Sequence, residues 1–511
     1  MRGDPRRGLG AGLFVAGVAF GGGIHAQDAP LSAIPWLSDS IATRPAPRDE
    51  APATALSETS IAVMPLGQTR RDAVGLLSQR LTGLPADTFA GSEPARIADL
   101  FSRQPVDALP AMQDVVQMLL LAELDPPRAA TDPDRLFFAR IDTLLRFGAL
   151  DQTQALLERA GATDQAAFQR WFDTSLLTGF DTRACDAMTA NPGIAPTLPA
   201  RIFCLSRTGD WAAAALTLET GRAIGSITEE EDALLAHFLD PELFEGAPPP
   251  IQPRPMTPLA FRLLDGIGET PATLDLPLAF AVADLRSSTG WKAQIEAAER
   301  LTRVGSLDPN RLLSLYTERR PAASGGVWDR ATAIQRLDAA LIGGQSEAIA
   351  NALPGAVARM RAAHLLVTFA DLYGARLMPA ELPPSAAVLA LRVGLLSPEY
   401  EDAARAAGNL PSPLQPHDAF AVAIASGDFD APPPPGVLPQ AISDGLTGTA
   451  PDRLLDLAAN GRLGEALLIA GVLLAEGAES DPQDIADAIA LFRAVGLQDA
   501  ARQISLQLLL T

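Results

Sequence analysis

The sequence predicts an all-α protein built from many short helices, and three observations carry that prediction. Ala and Leu together fill about a third of the 511 positions, while aromatics supply only 5%, a balance weighted toward the best helix formers. Apolar residues recur at helical spacing in short bursts: Phe137, Ile141, Leu144 and Leu145; Phe168, Trp171, Phe172 and Leu176; Trp291, Ile295 and Ala298. Each burst lays one stripe along a helix of about 10 to 16 residues. Alternating runs of Val, Ile, Tyr and Thr, the material of strands, are nearly missing after residue 70.

Helix boundaries are written in the same places. Asp132-Pro133, Asp308-Pro309 and Asp481-Pro482 each set a capping carboxylate before a proline at the first helical position, and Thr228 with Glu231 has the spacing of a capping box. Gly148, Gly161, Gly179, Gly209, Gly225, Gly305 and Gly496 follow apolar periodic stretches, where a left-handed residue closes a helix.

Taken in order, residues 1–26 have the pattern of a secretory signal. Arg2, Arg6 and Arg7 form a positive start, Leu9 to Ile24 is apolar, and a small residue stands at a cut between Ala26 and Gln27. No Cys lies near that cut, so a lipid anchor is not expected. Export to the periplasm as a soluble protein follows. Residues 27–90 are rich in Pro, Ala, Ser and Thr and are expected to form a largely extended lead-in. Three helical blocks follow at 91–243, 257–430 and 436–511, separated by a Pro-rich hinge at 244–256 and a Pro-rich linker at 431–435.

Charge narrows the partners. The chain carries 61 Asp and Glu against 40 Lys and Arg, a net charge of -21, and removal of the first 26 residues makes it more negative. Such a field repels a polyanion, so no nucleic-acid partner is expected. No later stretch reaches the roughly 18 continuous apolar residues of a membrane span, so stable membrane insertion is not expected either.

Lys292 is the only lysine, which excludes a P-loop and a Ser-x-x-Lys nucleophile, each of which needs Lys at a fixed offset. His237, His364 and His417 belong to no spaced metal set. The first two fall in apolar helical runs and the third near a helix start. No Gly-x-Ser-x-Gly elbow occurs. The acidic run Glu229 to Asp232 suits a helix N-terminus. No catalytic residue, cofactor site or metal site is therefore predicted. Cys185 and Cys204 lie 19 apart with Pro and Gly between them; in an oxidising compartment they would form a disulfide, the alternative being two buried thiols. A zinc site lacks further ligands.

The turns repeat a grammar. Gly209, Trp211 and Ala214 share their spacing with Gly461, Leu463 and Ala466: Gly, a large apolar residue two on, Ala five on. Gly496 with Ala501 matches in part and begins 35 residues after Gly461, close to a 34-residue repeat. The Gly ends one helix, the apolar residue packs under the turn, and the Ala admits close approach of the next helix. This resembles the inter-helix turn of tetratricopeptide (TPR) repeats. The resemblance implies an α-solenoid of stacked hairpins with a concave surface that binds an extended or helical segment of a protein partner.

The function expected is thus an interaction or scaffold module of the cell envelope with a protein partner there. An envelope polysaccharide-acting enzyme of helical-toroid type and a self-assembling structural protein are the alternatives. Arg319-Arg320 and Arg359 with Arg361 are the candidate clusters for contacts to partner carboxylates.

Overall fold

A computed structural model describes residues 70–128, 132–410 and 413–511. The predicted signal, its cut between Ala26 and Gln27, and most of the lead-in lie outside the described residues. Residues 70–90 do not form the extended chain expected of them. They fold onto the body through a 3-10 turn at Arg71–Ala73 and the one-turn helix α1 (Gln79–Thr82), burying Leu84 and Phe89.

Helices then follow without interruption: α2 (Pro94–Ser102), α3 (Pro110–Leu121), α4 (Arg135–Arg146), α5 (Leu150–Ala160), α6 (Gln165–Thr178), α7 (Asp181–Ala190), α8 (Leu198–Arg207), α9 (Trp211–Ala223), α10 (Glu229–Leu239) and α11 (Pro258–Gly266). After a 3-10 segment at Leu278–Leu285 come α12 (Trp291–Arg303), α13 (Pro309–Glu318), α14 (Val327–Gly343), α15 (Ser346–Ala362), α16 (Leu366–Leu377), α17 (Pro384–Leu395), α18 (Tyr400–Ala406) and α19 (Pro416–Ser426). The last five are α20 (Val437–Thr447), α21 (Asp452–Ala459), α22 (Leu463–Leu473), α23 (Pro482–Ala494) and α24 (Gln498–Leu510). No strand occurs among the described residues; Leu77 and Ala122 form one isolated bridge.

Most helices pack on their immediate neighbours in the chain, as short connections require. The caps do their expected work at α10, α13 and α23: Thr228 and Glu231 form the full capping box, and Asp308 and Asp481 accept from the N–H groups of Asn310 and Gln483. Asp132 does not cap. Asp134, in a left-handed conformation, precedes α4 instead, so that helix starts at Arg135.

The turns at Gly209, Gly461 and Gly496 close with one hydrogen-bond pattern, which the turns at Gly148, Gly225, Gly268, Gly305 and Gly427 share. The residue after each Gly reaches back to a carbonyl five positions earlier: Asp210 to Leu205 at 2.9 Å, Arg462 to Leu457 at 2.9 Å, Leu497 to Phe492 at 2.8 Å. That closure requires the intervening residue at positive φ, and Gly209, Gly461 and Gly496 supply it. Ala214, Ala466 and Ala501 are fully buried at the facing helices, and Leu463 is buried beneath its turn. Trp211 departs from the expected grammar. It is 50% exposed, with one ring face toward Phe238, because α9 buries only Ala214, Leu218 and Gly221 and has no helix over its outer side.

A second departure concerns the ends of the stack. Repeats of a solenoid contact only their neighbours, yet here α22 packs on α2 and α3, and α24 packs on α3. Gly91 N–H donates to the Gly461 carbonyl, Gly464 N–H to that of Thr88, and Gln104 Nε2 to that of Leu468, all at 2.9 Å. The last helices thereby join the first, and one apolar core runs from Leu84 to Leu510 through residues of all three predicted blocks. Buried beside this junction, Arg140 donates to the carbonyls of Leu120, Val74 and Ala122 at 2.7–3.0 Å. Burial lowers its guanidinium to about 10 against the opposing charge of Asp72.

Residues of α6–α11 form an arm with its own core, closed on itself by contact between α6 and α11. Within it, Cys185 of α7 and Cys204 of α8 are joined by a disulfide, Cα to Cα 4.9 Å.

Candidate functional site

Two places on the molecule differ from ordinary helical surface. The first is the outer side of the arm. Among the described residues, seven of ten exposed large hydrophobic side chains lie between Phe180 and Leu274. On α9, Leu216 stands on the outward face with exposed Ala212 and Ala223, and exposed Trp211 at the start of the helix and Ile224 just past its end flank that face on opposite sides. A surface helix normally turns one apolar stripe inward and a polar one outward. On α9 the inward stripe is small, and the outward one is largely apolar, broken by Glu219 and Thr220. Exposed carboxylates begin this helix and the next, Asp210 before α9 and Glu229 and Glu230 at the start of α10; Glu229 and Glu230 pair with no cation among the described residues, and Arg222 of α9 pairs with Glu219 and Asp232.

The second place is a cleft of about 290 Å³ where five parts of the chain meet: the start of α3, the α12–α13 turn, α16, the α17–α18 turn and α24. Asp114 and Asp371 line it. Both carboxylates are open to solvent through the cleft, but protein surrounds them on the other sides. That environment pushes Asp114 up to about 6. It pushes Asp371 up to about 7, with the charges of Asp114 and Glu399 adding to the effect of burial. Gln113 and Thr302 also line the cleft and are 2% and 4% exposed. Gln113 uses its Nε2 on the Val106 carbonyl at 2.7 Å; its Oε1, like Thr302 Oγ1, is buried without a partner. Arg303 stands on the wall with its Nε on the Ala363 carbonyl at 3.2 Å.

The three histidines go to separate places. His237 Nδ1 lies 2.7 Å from the Ala233 carbonyl, its ring stacked on Phe244. His364 is not in a helix, as its apolar surroundings in sequence suggest. It occupies the α15–α16 turn at φ 55°, where the other turns place Gly, and it is exposed. His417 Nε2 lies 2.9 Å from the Leu509 carbonyl and Arg361 donates to that of Leu510 at 3.1 Å, so both serve the open carbonyls at the end of α24. Arg361 is thereby committed to the fold, Arg319 pairs with its neighbour Glu318, and Arg359 donates to the Gly355 carbonyl. The Arg residues do not converge on one surface. The Glu229 to Asp232 run opens α10.

Among the described residues no group of three or more His, Cys, Asp or Glu converges as for a metal, and no helix is long and apolar enough to cross a membrane. The lining of the cleft includes no aromatic ring on which a sugar could stack. No protein-family model matches the sequence, and neither a curated protein nor a solved structure is similar to it.

Neither place is predicted from sequence. Asp114 and Asp371 do leave a trace, a carboxylate set within the apolar runs around Met112 to Val116 and Leu366 to Leu372, but nothing in either run indicates the other.

Proposed function

We propose that the chain is an exported interaction protein of the cell envelope, built from TPR-like hairpins, whose arm engages a partner protein through the outward face of α9. The observation that carries this is the outward face of α9, where Leu216 is exposed with Ala212 and Ala223 and is flanked by exposed Trp211 and Ile224, on a helix that buries little, since exposed apolar surface marks interaction sites. The occupant we assign is an amphipathic helix of the partner with basic flanks. Its apolar side meets this face, and its cations meet Asp210, Glu229 and Glu230 at the starts of α9 and α10. Export is supported by the signal pattern of residues 1–26 and by the disulfide, which suits an oxidising compartment.

In-cell photo-crosslinking from position 216 tests the proposal. The expected result is one reproducible envelope protein, bound through a segment with that apolar and basic pattern, and loss of the adduct in Trp211→Ser. No adduct, an adduct unchanged by that substitution, or equal capture from a control position on α21 would refute it.

A further inference from the structure

We infer that the cleft between α3, α12, α16 and α24 is a binding site for a small organic cation, a protonated amine or a guanidinium, held by Asp114 and Asp371 together with Gln113 and Thr302. The inference is independent of the arm and its partner.

Acidic side chains alone do not make a site, because most of them serve solubility. Here three further facts point to a ligand. Gln113 and Thr302 are almost wholly buried and line the same cleft, each with an oxygen that meets no donor. An unmet acceptor in such surroundings is destabilising, and a ligand N–H would satisfy it. The two carboxylates are the second fact. They lie near enough for the charge of Asp114 to act on Asp371, and neither has an arginine partner among the described residues, although elsewhere in this chain Asp and Glu are widely paired with Arg. Third, the cleft holds about 290 Å³, the lower end of the range for small-molecule sites and far more than a bare ion fills.

The donor inventory selects the ligand class. Two carboxylates, an amide oxygen and a hydroxyl are acceptors, and a protonated amine or guanidinium brings several N–H donors with a compensating charge. A calcium ion would need six or more oxygens at short range, and among the described residues the pair belongs to no group of three or more His, Cys, Asp or Glu placed to hold a metal. An anion is repelled by the same pair. The other charged groups facing the cleft are Arg303 and Asp308 on its wall and Glu399, which acts on Asp371. Asp308 is occupied as the cap of α13.

Cation binding favours the ionised carboxylates, so it competes with protons. Affinity should rise between about pH 5 and about pH 8 as the pair ionises.

Calorimetric titration of the purified full chain with putrescine, agmatine and L-arginine, with glutamate and glycerol as comparators, tests the site. Saturable binding of at least one cation and none of the comparators is expected, weakened about tenfold or more by Asp114→Asn with Asp371→Asn, and weakened likewise at about pH 5. The two carboxylates are unpaired, so this double variant should melt no lower than the parent. Should it fail to fold, Thr302→Val supplies the same test with a smaller loss. Absence of binding at millimolar cation, binding that the substitutions leave unchanged, or saturation by calcium chloride in place of the amines would overturn the assignment.

Discussion

Gln507 Oε1 accepts the backbone N–H of Ala111 at 3.0 Å, across 396 positions of sequence. One side chain of the last helix thus caps the first turn of α3, whose N–H groups, like those at the start of any helix, lack helical partners. With the bonds of Gly91 to Gly461 and Gly464 to Thr88, it makes the two ends of the described chain a single packed junction. The junction has little room. A Cβ on Gly91 would run into the Asn460 carbonyl, a backbone atom that cannot rotate away. Gly91→Ala should therefore cost about 2–3 kcal/mol. A urea unfolding midpoint within error of the parent would show that the ends are not pinned in this way.

Arg140 and Asp72 form the polar centre of the same region. Arg140 spends its donors on the carbonyls of Leu120, Val74 and Ala122, and Asp72 accepts the Phe137 N–H at 2.9 Å. Arg140→Met would leave those buried carbonyls unmet, each at a cost of about 1–3 kcal/mol, while the ion pair of Asp72 with Arg70 would remain. Asp72→Asn keeps an acceptor for Phe137 and should cost less. Chemical denaturation of the two variants gives the order, and a reversed order would count against this account of the centre.

The disulfide acts on the arm alone. Cys185 and Cys204 are buried in the core of α6–α11, separate from the core that includes the chain ends. Replacing both by Ala should destabilise by about 2–4 kcal/mol. Hydrogen exchange should accelerate in α6–α11 and stay unchanged in α20–α24. Uniform acceleration across the chain would mean that the arm is not an independent unit of stability.

What the sequence reveals and what it hides follow from the range of each interaction. The closure at Gly209, Gly461 and Gly496 is legible because a left-handed residue leaves its mark locally, as Gly. So is the capping box of Thr228 and Glu231, which spans a single turn. Trp211 is misjudged because its burial depends on whether a further helix covers α9, a tertiary fact. Asp114 and Asp371 are illegible as a pair because their helices are far apart in the sequence and meet only around the cleft, which no local pattern encodes.

His364 shows the same limit from the other side. It closes the α15–α16 turn with Leu365 N–H on the Met360 carbonyl at 2.9 Å, the bond that Gly makes possible elsewhere. A side chain at φ 55° carries a steric penalty of about 1–2 kcal/mol, partly offset because Gly is more disordered when unfolded. His364→Gly should consequently stabilise the fold by about 0.5–1 kcal/mol. Gly461→Ala, forcing a Cβ into the equivalent position, should destabilise it by about 1 kcal/mol or more. Thermal melts of the two variants moving in the same direction would refute the equivalence of the turns.

Protons at the cleft link its electrostatics to folding. Asp114 is pushed up to about 6 and Asp371 to about 7, both above the ordinary value of 3.8. Between that ordinary value and the raised ones, the folded chain holds more protons than the unfolded chain. Its stability must then fall as pH rises through the window from about 4 to about 7, the reverse of an ion-paired carboxylate. Asp173, pushed up to about 6 by burial, contributes a slope of the same sign from the arm, and the overall negative charge adds another. The double substitution Asp114→Asn with Asp371→Asn isolates the cleft because it leaves those terms in place. Its stability relative to the parent should be smallest at about pH 4 and grow until about pH 7, where both carboxyls of the parent have ionised. Urea midpoints measured across that range supply the comparison. A difference that is flat with pH would mean that the two carboxylates are solvated like any on the surface, and one that shrinks toward neutral pH would place an unrecognised cation beside them.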